Sequence, residues 1–253
     1  MCLAAASNTL AATCPAERTS ERVRVVHVYD GDTIKLTDGR RLRLIGINTP
    51  EISHDGSPSQ ALAEQARSAL RTLLDRYNRT LNLQYGKQTR DHYGRLLAHA
   101  FLDDGTNVAV RLLEQGMATA LVVPPNTWAR NCYASVEAVA RKKQRGLWAF
   151  PDYQVIDGTA LHANIRGFRI VRGRISDIRE SRHGIWLYLE GPLVIRVNRK
   201  DLVNFKPGFP EAFEGKTVEV RGWIKTDRNG LRVNVRHPAA LFAIKAGKAP
   251  PAR

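Results

Sequence analysis

The sequence predicts a mainly β protein that also contains α-helices (α+β), with a second, smaller β-barrel in its later part. Short apolar runs separated by Gly, Pro, Asn and Asp indicate strands along the whole chain. Three longer runs with apolar residues at helical spacing, near 58–77, 107–116 and 128–145, indicate helices. Beyond residue 164, five β-type runs within about eighty residues suggest a small barrel.

The composition is that of a soluble globular protein with a basic surface. Its 253 residues allow one large domain or two small ones, and 43% hydrophobic with 25% charged residues excludes a disordered or membrane-embedded chain. The net charge of +15 favours a polyanionic partner such as DNA or RNA, although binding to lipid headgroups stays open. No run reaches the ~18 apolar residues of a spanning helix, so we expect no stable membrane insertion.

The first half opens with a hairpin that is rich in acidic and amide side chains. In order, it contains an apolar strand (23–28), the sequence DGDT (30–33), an Asp-Gly turn (38–39), a returning strand (41–47) and the sequence NTPE (48–51). This register brings Asp30 and Asp32 close to the loop 48–51. Oxygen ligands from two ends of one hairpin suit calcium, but acidic residues beside glycine are also common in solvated turns.

Two arginines accompany this hairpin. Arg43 is a cation inside an otherwise apolar strand, and Arg95 ends the sequence DHYGR (91–95) just before another apolar run. A strand arginine is usually half-buried against a carboxylate. Near a metal ion, its forked donors can instead hold a phosphate.

Three sequence elements at these separations resemble the thermonuclease (staphylococcal nuclease) family. They are DGDT, the pattern R-L-x-x-x-x-T-P-E from Arg43 to Glu51, and D-x-Y-G-R from Asp91 to Arg95. The similarity runs from about residue 23 to 148, about half of the chain. It implies an OB-type five-stranded barrel with three helices, and calcium-dependent cleavage of DNA and/or RNA with little sequence preference.

The resemblance also implies one Ca²⁺ ion and a set of site residues. By position they are the metal ligands Asp32, Asn48 and Thr49 (through its carbonyl), the outer-shell carboxylate Asp30, the catalytic residues Arg43, Glu51 and Arg95, and the substrate contact Tyr93. Glu51 would orient or deprotonate the attacking water. The two arginines would hold the phosphate and stabilise the charge that develops on it.

The sequence departs from the family's pattern at three points. Asn48 stands where well-known members have a second aspartate ligand, so we predict weaker metal binding. The stacking tyrosines of the family fall near 121–123, where this chain has only aliphatic residues. The loop 52–59 lacks the family's lysine pair and contains His54-Asp55 instead. His54 could approach the site, but we expect it to be an exposed loop histidine.

The cysteines and the N-terminus together favour an exported protein. The first twelve residues are small and weakly apolar, like the end of a signal peptide, and predict a periplasmic or secreted location. Cys14 and Cys132 then remain as one pair, for which we predict a disulfide. The alternative is two free thiols in a cytosolic protein.

Turn signals and composition divide the chain into five segments. Separately, we expect the protein to be a monomer. The segments are a signal-peptide remnant and N-terminal arm (1–20), the nuclease-like domain (21–150), a linker (151–163), an OB-like β-barrel domain (164–244) and a disordered basic tail (245–253).

The second barrel carries many basic and aromatic residues without a sequence motif. They are Arg166, Arg169, Arg172, Arg174, Arg196, Arg199 and Lys200, with Trp186, Tyr188 and Trp223. These are the residue types that a groove for single-stranded nucleic acid uses. Equally, the aromatic residues can pack the barrel while the arginines keep it soluble.

Three functions therefore compete. The first is a calcium-dependent nuclease, and the second is a catalytically weak or inactive nucleic-acid-binding protein on the same scaffold. Retention of Asp32, Arg43, Glu51 and Arg95 favours the first, whereas Asn48 favours the second. The third is a periplasmic metal or carbohydrate binder that uses the aromatic residues of the second barrel.

Overall fold

The computed structural model describes residues 13–53, 56, 58–227 and 230–244. The chain divides into two compact units, Met1–Ala120 with Pro125–Leu147 and Leu121–Pro124 with Trp148–Arg253. Several sequence-based expectations lie outside the described residues: the signal-peptide remnant at 1–12, the loop residues 54 and 55, the hairpin turn at 228–229 and the tail at 245–253.

The first unit is a closed barrel with three α-helices. Its strands are β1 (Glu21–Val28), β2 (Thr33–Leu36), β3 (Arg41–Leu44), β4 (Ile47–Asn48), β5 (Thr80–Arg90), β6 (Leu96–Phe101) and β7 (Thr119–Ala120). Its helices are α1 (Ala63–Asp75), α2 (Val108–Glu114) and α3 (Arg130–Lys142). The barrel order is β1-β2-β3-β6-β5, with β3 parallel to β6. The predicted five-stranded barrel with three helices is confirmed.

The barrel core follows the alternation of the strands. On β1, Val23, Val25 and Val28 are buried, and a register shift between Val25 and His27 resets the alternation. On β3, Leu42 and Leu44 point inward while Arg41 is exposed and Arg43 is half-buried. This alternation leaves the polar side chains of β3 on the outer side of the barrel.

The returning strand predicted at 41–47 is interrupted. β3 ends at Leu44, and Gly46 turns the chain with a φ of +86°. A Cβ on Gly46 would lie 2.4 Å from the Tyr133 ring, so only glycine fits there. The chain then continues as β4, which pairs with β7 outside the barrel. Asn48 is thereby held by a strand that follows it by about seventy residues, opposite Thr119.

Two of the helices are shorter than predicted. The helix predicted at 58–77 begins only at Ala63, because Leu62 adopts a left-handed conformation with a φ of +64°. The helix predicted at 128–145 spans Arg130–Lys142, and its residue Val139 is 51% exposed. Among the described residues, no helix is both long and apolar enough to span a membrane.

The second unit is also built around a closed ring of five strands. Its strands are β8 (Val155–Asp157), β9 (Gly167–Ser181), β10 (Gly184–Leu189), β11 (Leu193–Asn198), β12 (Thr217–Asp227), β13 (Gly230–Asn234) and β14 (Leu241–Ala243). The sheet order is β14-β12-β13-β11-β10-β9-β8, and pairing of β12 with β9 closes the ring from β9 to β13. The predicted second barrel is confirmed.

The two barrels share one strand connectivity. In each, the third strand pairs in parallel with the fifth, and the first strand closes on the fourth. The sequence did not predict β8 or β14, which are three residues each and extend the second sheet at its two ends. The range 151–163, predicted as a linker, contains β8, which pairs with β9.

Cys14 and Cys132 are joined by a disulfide, with their Cα atoms 5.8 Å apart. The bond links the N-terminal arm to α3 across a sequence separation of 118. Asn107, whose side chain caps α2, also donates from Nδ2 to the Cys14 carbonyl at 2.9 Å. The N-terminal arm is therefore attached to the first unit by a disulfide and by a hydrogen bond.

We expect loss of this disulfide to destabilise the protein without altering the fold. Replacing both cysteines by serine should lower the free energy of unfolding by about 2–5 kcal/mol, because the unfolded chain is released from a long closed loop. Urea unfolding of the oxidised protein and of the double variant measures the difference. A reductant should shift the wild-type midpoint and leave that of the variant unchanged. Equal urea-unfolding midpoints for the oxidised wild type and the double variant would contradict a stabilising role of the disulfide.

Candidate active site

Asp32 is the centre of the candidate site and is fully buried at the start of β2. Its Oδ2 accepts a hydrogen bond from the Thr49 backbone N–H at 2.8 Å and forms an ion pair with Arg43 Nη2 at 2.9 Å. The Thr33 hydroxyl donates to Oδ1 at 3.2 Å. Asp32 thus joins β2, β3 and the loop after β4, as the hairpin register predicts.

Asp30 and Gly31 shape the turn before Asp32. Asp30 Oδ1 accepts a hydrogen bond from the Asp32 backbone N–H at 2.9 Å. A Cβ on Gly31 would lie 2.7 Å from the Thr49 side chain and 2.9 Å from that of Ala66, so the close approach of the two ends of the hairpin requires glycine here. Asp30 therefore supports Asp32 through the backbone of the turn.

Arg43 is held in place by several acceptors. Besides its ion pair with Asp32, Nη2 donates to Asn48 Oδ1 at 3.0 Å and Nη1 donates to the Ile47 carbonyl at 3.2 Å. Its side chain is only 13% exposed. The arginine thus fixes the chain where it leaves the barrel, and it lies against a carboxylate as strand arginines usually do.

Asn48 and Thr49 complete the loop. Asn48 Nδ2 donates to the Thr49 carbonyl at 2.9 Å, while its Oδ1 accepts from Arg43. Thr49 is buried, and its hydroxyl has no hydrogen-bond partner among the described residues. The amide of Asn48 therefore connects Arg43 with the carbonyl that the family resemblance assigns to the metal.

Burial dominates the electrostatics of Asp32. It raises the pKa of Asp32 to about 7, and the charges of Asp30 and Glu51 add to the increase. Arg43 and the Thr49 N–H act in the opposite direction without cancelling it. Negative charge on this carboxylate is consequently undercompensated by the protein alone.

Glu51 is exposed, and its backbone is clamped by Gln60. The Glu51 N–H donates to Gln60 Oε1 at 3.1 Å, and the Glu51 carbonyl accepts from the Gln60 N–H at 3.0 Å. The sequence does not indicate this role, because Gln60 falls within the range 58–77, whose pattern predicts a helix. The Glu51 charge contributes, as the smallest of the named causes, to the raised pKa of Asp32.

Arg95 and Tyr93 form a second cluster with Asp91. Arg95 Nε pairs with Asp91 Oδ2 at 2.7 Å, and its guanidinium lies 5.5 Å from the centre of the Tyr93 ring. Tyr93 is 73% exposed. In the part of the chain that the structure describes, the Nη atoms of Arg95 make no hydrogen bond. Two donors of this arginine are thus available to a ligand.

The register of β3 with β6 relates the two arginines. Arg43 lies opposite Leu97, two residues after Arg95, and the neighbouring pair of Leu42 and Leu96 is buried. Since side chains alternate along a strand, Arg43, Leu97 and Arg95 lie on the outer side of the barrel. The structure therefore links Asp30, Asp32, Arg43, Asn48 and Thr49 through direct contacts and puts Arg95 in the loop immediately before β6.

The donors around Asp32 fit a hard cation. The candidate metal ligands are all oxygen atoms: those of the buried Asp32 carboxylate, the Asn48 amide and the Thr49 carbonyl. The charges of two further carboxylates, Asp30 and Glu51, act on Asp32. Within the described ranges, no group of three or more His, Cys, Asp or Glu side chains is arranged to hold a metal ion. Any cation site here would combine one buried carboxylate with neutral oxygens.

A closed five-stranded barrel with this carboxylate and arginine site at its first hairpin defines a barrel of the nuclease type. A sequence model described as "Staphylococcal nuclease homologue" matches residues 41–150. The chain is 35% identical over 142 residues to the "Thermonuclease" of Staphylococcus intermedius, covering 53% of this chain and 83% of that protein. It is 32% identical over 129 residues to the "Thermonuclease" of Staphylococcus hyicus, covering 50% and 75%.

The chain belongs to the staphylococcal nuclease family, so the predicted resemblance is confirmed. It is also 30% identical over 138 residues to an "Uncharacterized endonuclease" of Escherichia coli, covering 51% of this chain and 78% of that protein. The family and these relatives support a nuclease. The family match ends at residue 150, before the second barrel begins.

Proposed function

We propose that this protein is a calcium-dependent nuclease that hydrolyses phosphodiester bonds of DNA and/or RNA with little sequence preference. The observation that carries the proposal is the buried Asp32 carboxylate, held between Arg43 and the Thr49 N–H at one end of the first hairpin. We further propose that the protein is a monomer in the periplasm or outside the cell, where the disulfide between Cys14 and Cys132 is stable.

Asp32, Asn48 and the Thr49 carbonyl would hold one calcium ion, with Asp30 as an outer carboxylate. When bound, the ion would polarise a phosphoryl oxygen and neutralise charge on it. The raised pKa of Asp32 supports this assignment, because a buried carboxylate with too little compensation favours a cation beside it.

Glu51 would act as the general base. Its backbone is fixed by both hydrogen bonds to Gln60, while the residue remains exposed to solvent. From this position the carboxylate can accept a proton from the water that attacks phosphorus. The clamp by Gln60 would keep the base in place through its backbone.

Arg43, on β3, and Arg95, in the loop immediately before β6, would bind the phosphate. Hydrolysis adds negative charge to the phosphoryl oxygens, so donors that are already in place stabilise the transition state more than the ground state. Arg95 offers its Nη atoms, because Asp91 engages only its Nε and backbone N–H. Tyr93, beside Arg95, is the exposed side chain that a nucleotide would contact.

Degradation of single-stranded DNA, followed with calcium and with a chelator, tests the proposal. We expect cleavage in calcium, none after chelation, and recovery when calcium is added back. Cleavage that survives the chelator would contradict calcium dependence. Cleavage that is absent in every condition, with DNA still bound, would favour the second candidate.

The second candidate is a nucleic-acid-binding protein with weak or no activity. The observation that favours it is Asn48, whose amide engages both Arg43 and the Thr49 carbonyl. In that case the loop would serve to hold Arg43 for phosphate binding, and substitution of Glu51 would leave DNA binding unchanged.

A further inference from the structure

The outer face of β10 carries two aromatic side chains that do not belong to the core of the second barrel. Along β10, Ile185, Leu187 and Leu189 are buried, while Trp186 and Tyr188 lie on the outer face and are half-buried. The apolar core of this barrel includes the first three and neither aromatic ring. The interpretation that these two aromatic residues pack the barrel is therefore wrong, and their rings lie on its surface.

Guanidinium groups from the neighbouring strands lie against both rings. Trp186 pairs across the sheet with Arg179 of β9 on one side and Arg196 of β11 on the other. Arg196 lies 5.6 Å from the centre of the Trp186 ring, and Arg179 lies 4.8 Å from that of Tyr188. Three adjacent strands thus present a continuous surface of rings and guanidinium planes, on both of which a base can stack.

The charge of this surface is positive and incompletely paired. Arg179 forms an exposed ion pair with Asp177 at 2.7 Å. Arg196 has no carboxylate partner among the described residues, and its buried Nε–H has no hydrogen-bond partner there. The chain as a whole has a net charge of +15. A ligand with both flat rings and negative charges complements these features.

We propose that the aromatic face, defined by Arg179, Trp186, Tyr188 and Arg196, binds single-stranded nucleic acid by base stacking. Trp186 and Tyr188 are two residues apart on one strand, about 6.6–6.8 Å along its axis, which leaves room for two successive bases. Arg196, which lies directly opposite Trp186, would then contact a phosphate of the strand beside that ring. The choice of nucleic acid as the polyanion rests on the proposed function, whereas the binding itself requires no cleavage.

Binding is measured with the full-length chain carrying Glu51→Gln, in the presence of a chelator, so that the DNA stays intact. The probe is a fluorescently labelled oligothymidylate, followed by anisotropy, and a gel afterwards verifies that it is uncut. We expect Trp186→Ala with Tyr188→Ala to weaken binding at least about tenfold. Trp186→Phe with Tyr188→Phe should retain most of the affinity, because the rings remain.

Two controls separate stacking from folding and from charge. Phe242→Ala removes an aromatic side chain that is 40% exposed on β14 and should leave the affinity unchanged. The parent chain should bind a probe with abasic sites more weakly than the complete oligonucleotide. The double alanine variant should bind the two probes almost equally well. Heparin, a polyanion without bases, should bind both chains equally.

The proposal is overturned if the double alanine variant binds oligothymidylate as the parent does. It is also overturned if the affinities of that variant for heparin and for oligothymidylate fall to the same extent, since the face would then recognise charge alone. Failure of the calcium-dependent cleavage would leave these binding results intact. Loss of this binding, in turn, would leave the assignment of the first barrel intact.

Discussion

Glu51→Gln is expected to lower kcat on single-stranded DNA about 100- to 10,000-fold, the range typical of a lost general base. The amide cannot accept a proton from the attacking water. The backbone hydrogen bonds to Gln60 do not involve the carboxylate, so the loop should keep its position and KM should change little. Initial rates in saturating calcium, over a range of DNA concentrations, separate the two parameters.

Glu64→Gln is the matched control for this substitution. Glu64 lies at the start of α1 and pairs with Arg67 one turn later on an exposed helix surface. Its replacement should leave kcat within about twofold. An exposed ion pair of this kind contributes less than about 1 kcal/mol to the stability of the protein, so its loss should not disturb the fold. Equal rates for wild type and Glu51→Gln would remove Glu51 from the reaction.

Arg43→Lys is expected to lower kcat/KM about 100- to 1,000-fold, comparable to losing one preorganised donor at a reacting oxyanion. The guanidinium of Arg43 contacts Asp32, Asn48 and the Ile47 carbonyl together. A lysine ammonium is a single point of charge and cannot reproduce that planar set of contacts while also bonding a phosphate. Steady-state kinetics together with thermal unfolding measure the effect.

Arg41→Lys provides a control from the same strand. Arg41 lies two residues before Arg43 on the same face of β3, but it is exposed and its guanidinium lies 5.2 Å from the centre of the Tyr29 ring. We expect this variant to retain nearly full activity. If both variants lose activity equally, then general basic charge matters rather than the position of Arg43. If neither loses activity, Arg43 has no role in phosphate binding.

Much of the first barrel could be predicted from local signals. Val23, Val25 and Val28 and the Asp-Gly turn define the first hairpin, and its register predicts that Asp32 lies near the loop of Thr49, as the structure has it. Such predictions succeed because strand alternation and turn chemistry depend on neighbouring residues.

The remaining features depend on partners that are distant in sequence. β4 leaves the barrel because it pairs with Thr119 and Ala120, and no local pattern in 41–47 reveals that pairing. Gln60 clamps Glu51 through an ordinary polar side chain in a loop. β8 and β14 are too short for a periodic signal, since three residues cannot display alternation reliably.

Asn48 is the residue at which this account of the site can be tested by a gain of function. In Asn48→Asp, the carboxylate can keep the contact with Arg43, but it loses the Nδ2 donor that now engages the Thr49 carbonyl. That carbonyl is released, and a negatively charged oxygen is added beside it. Both changes favour a calcium ion at this end of the hairpin.

A calorimetric titration of calcium into the wild-type chain and into Asn48→Asp measures this directly. We expect the variant to bind calcium at least about tenfold more tightly, because affinity rises with the number of charged ligands. A variant that binds calcium no more tightly than the wild type would contradict the assignment of Asp32, Asn48 and Thr49 as the metal-binding residues.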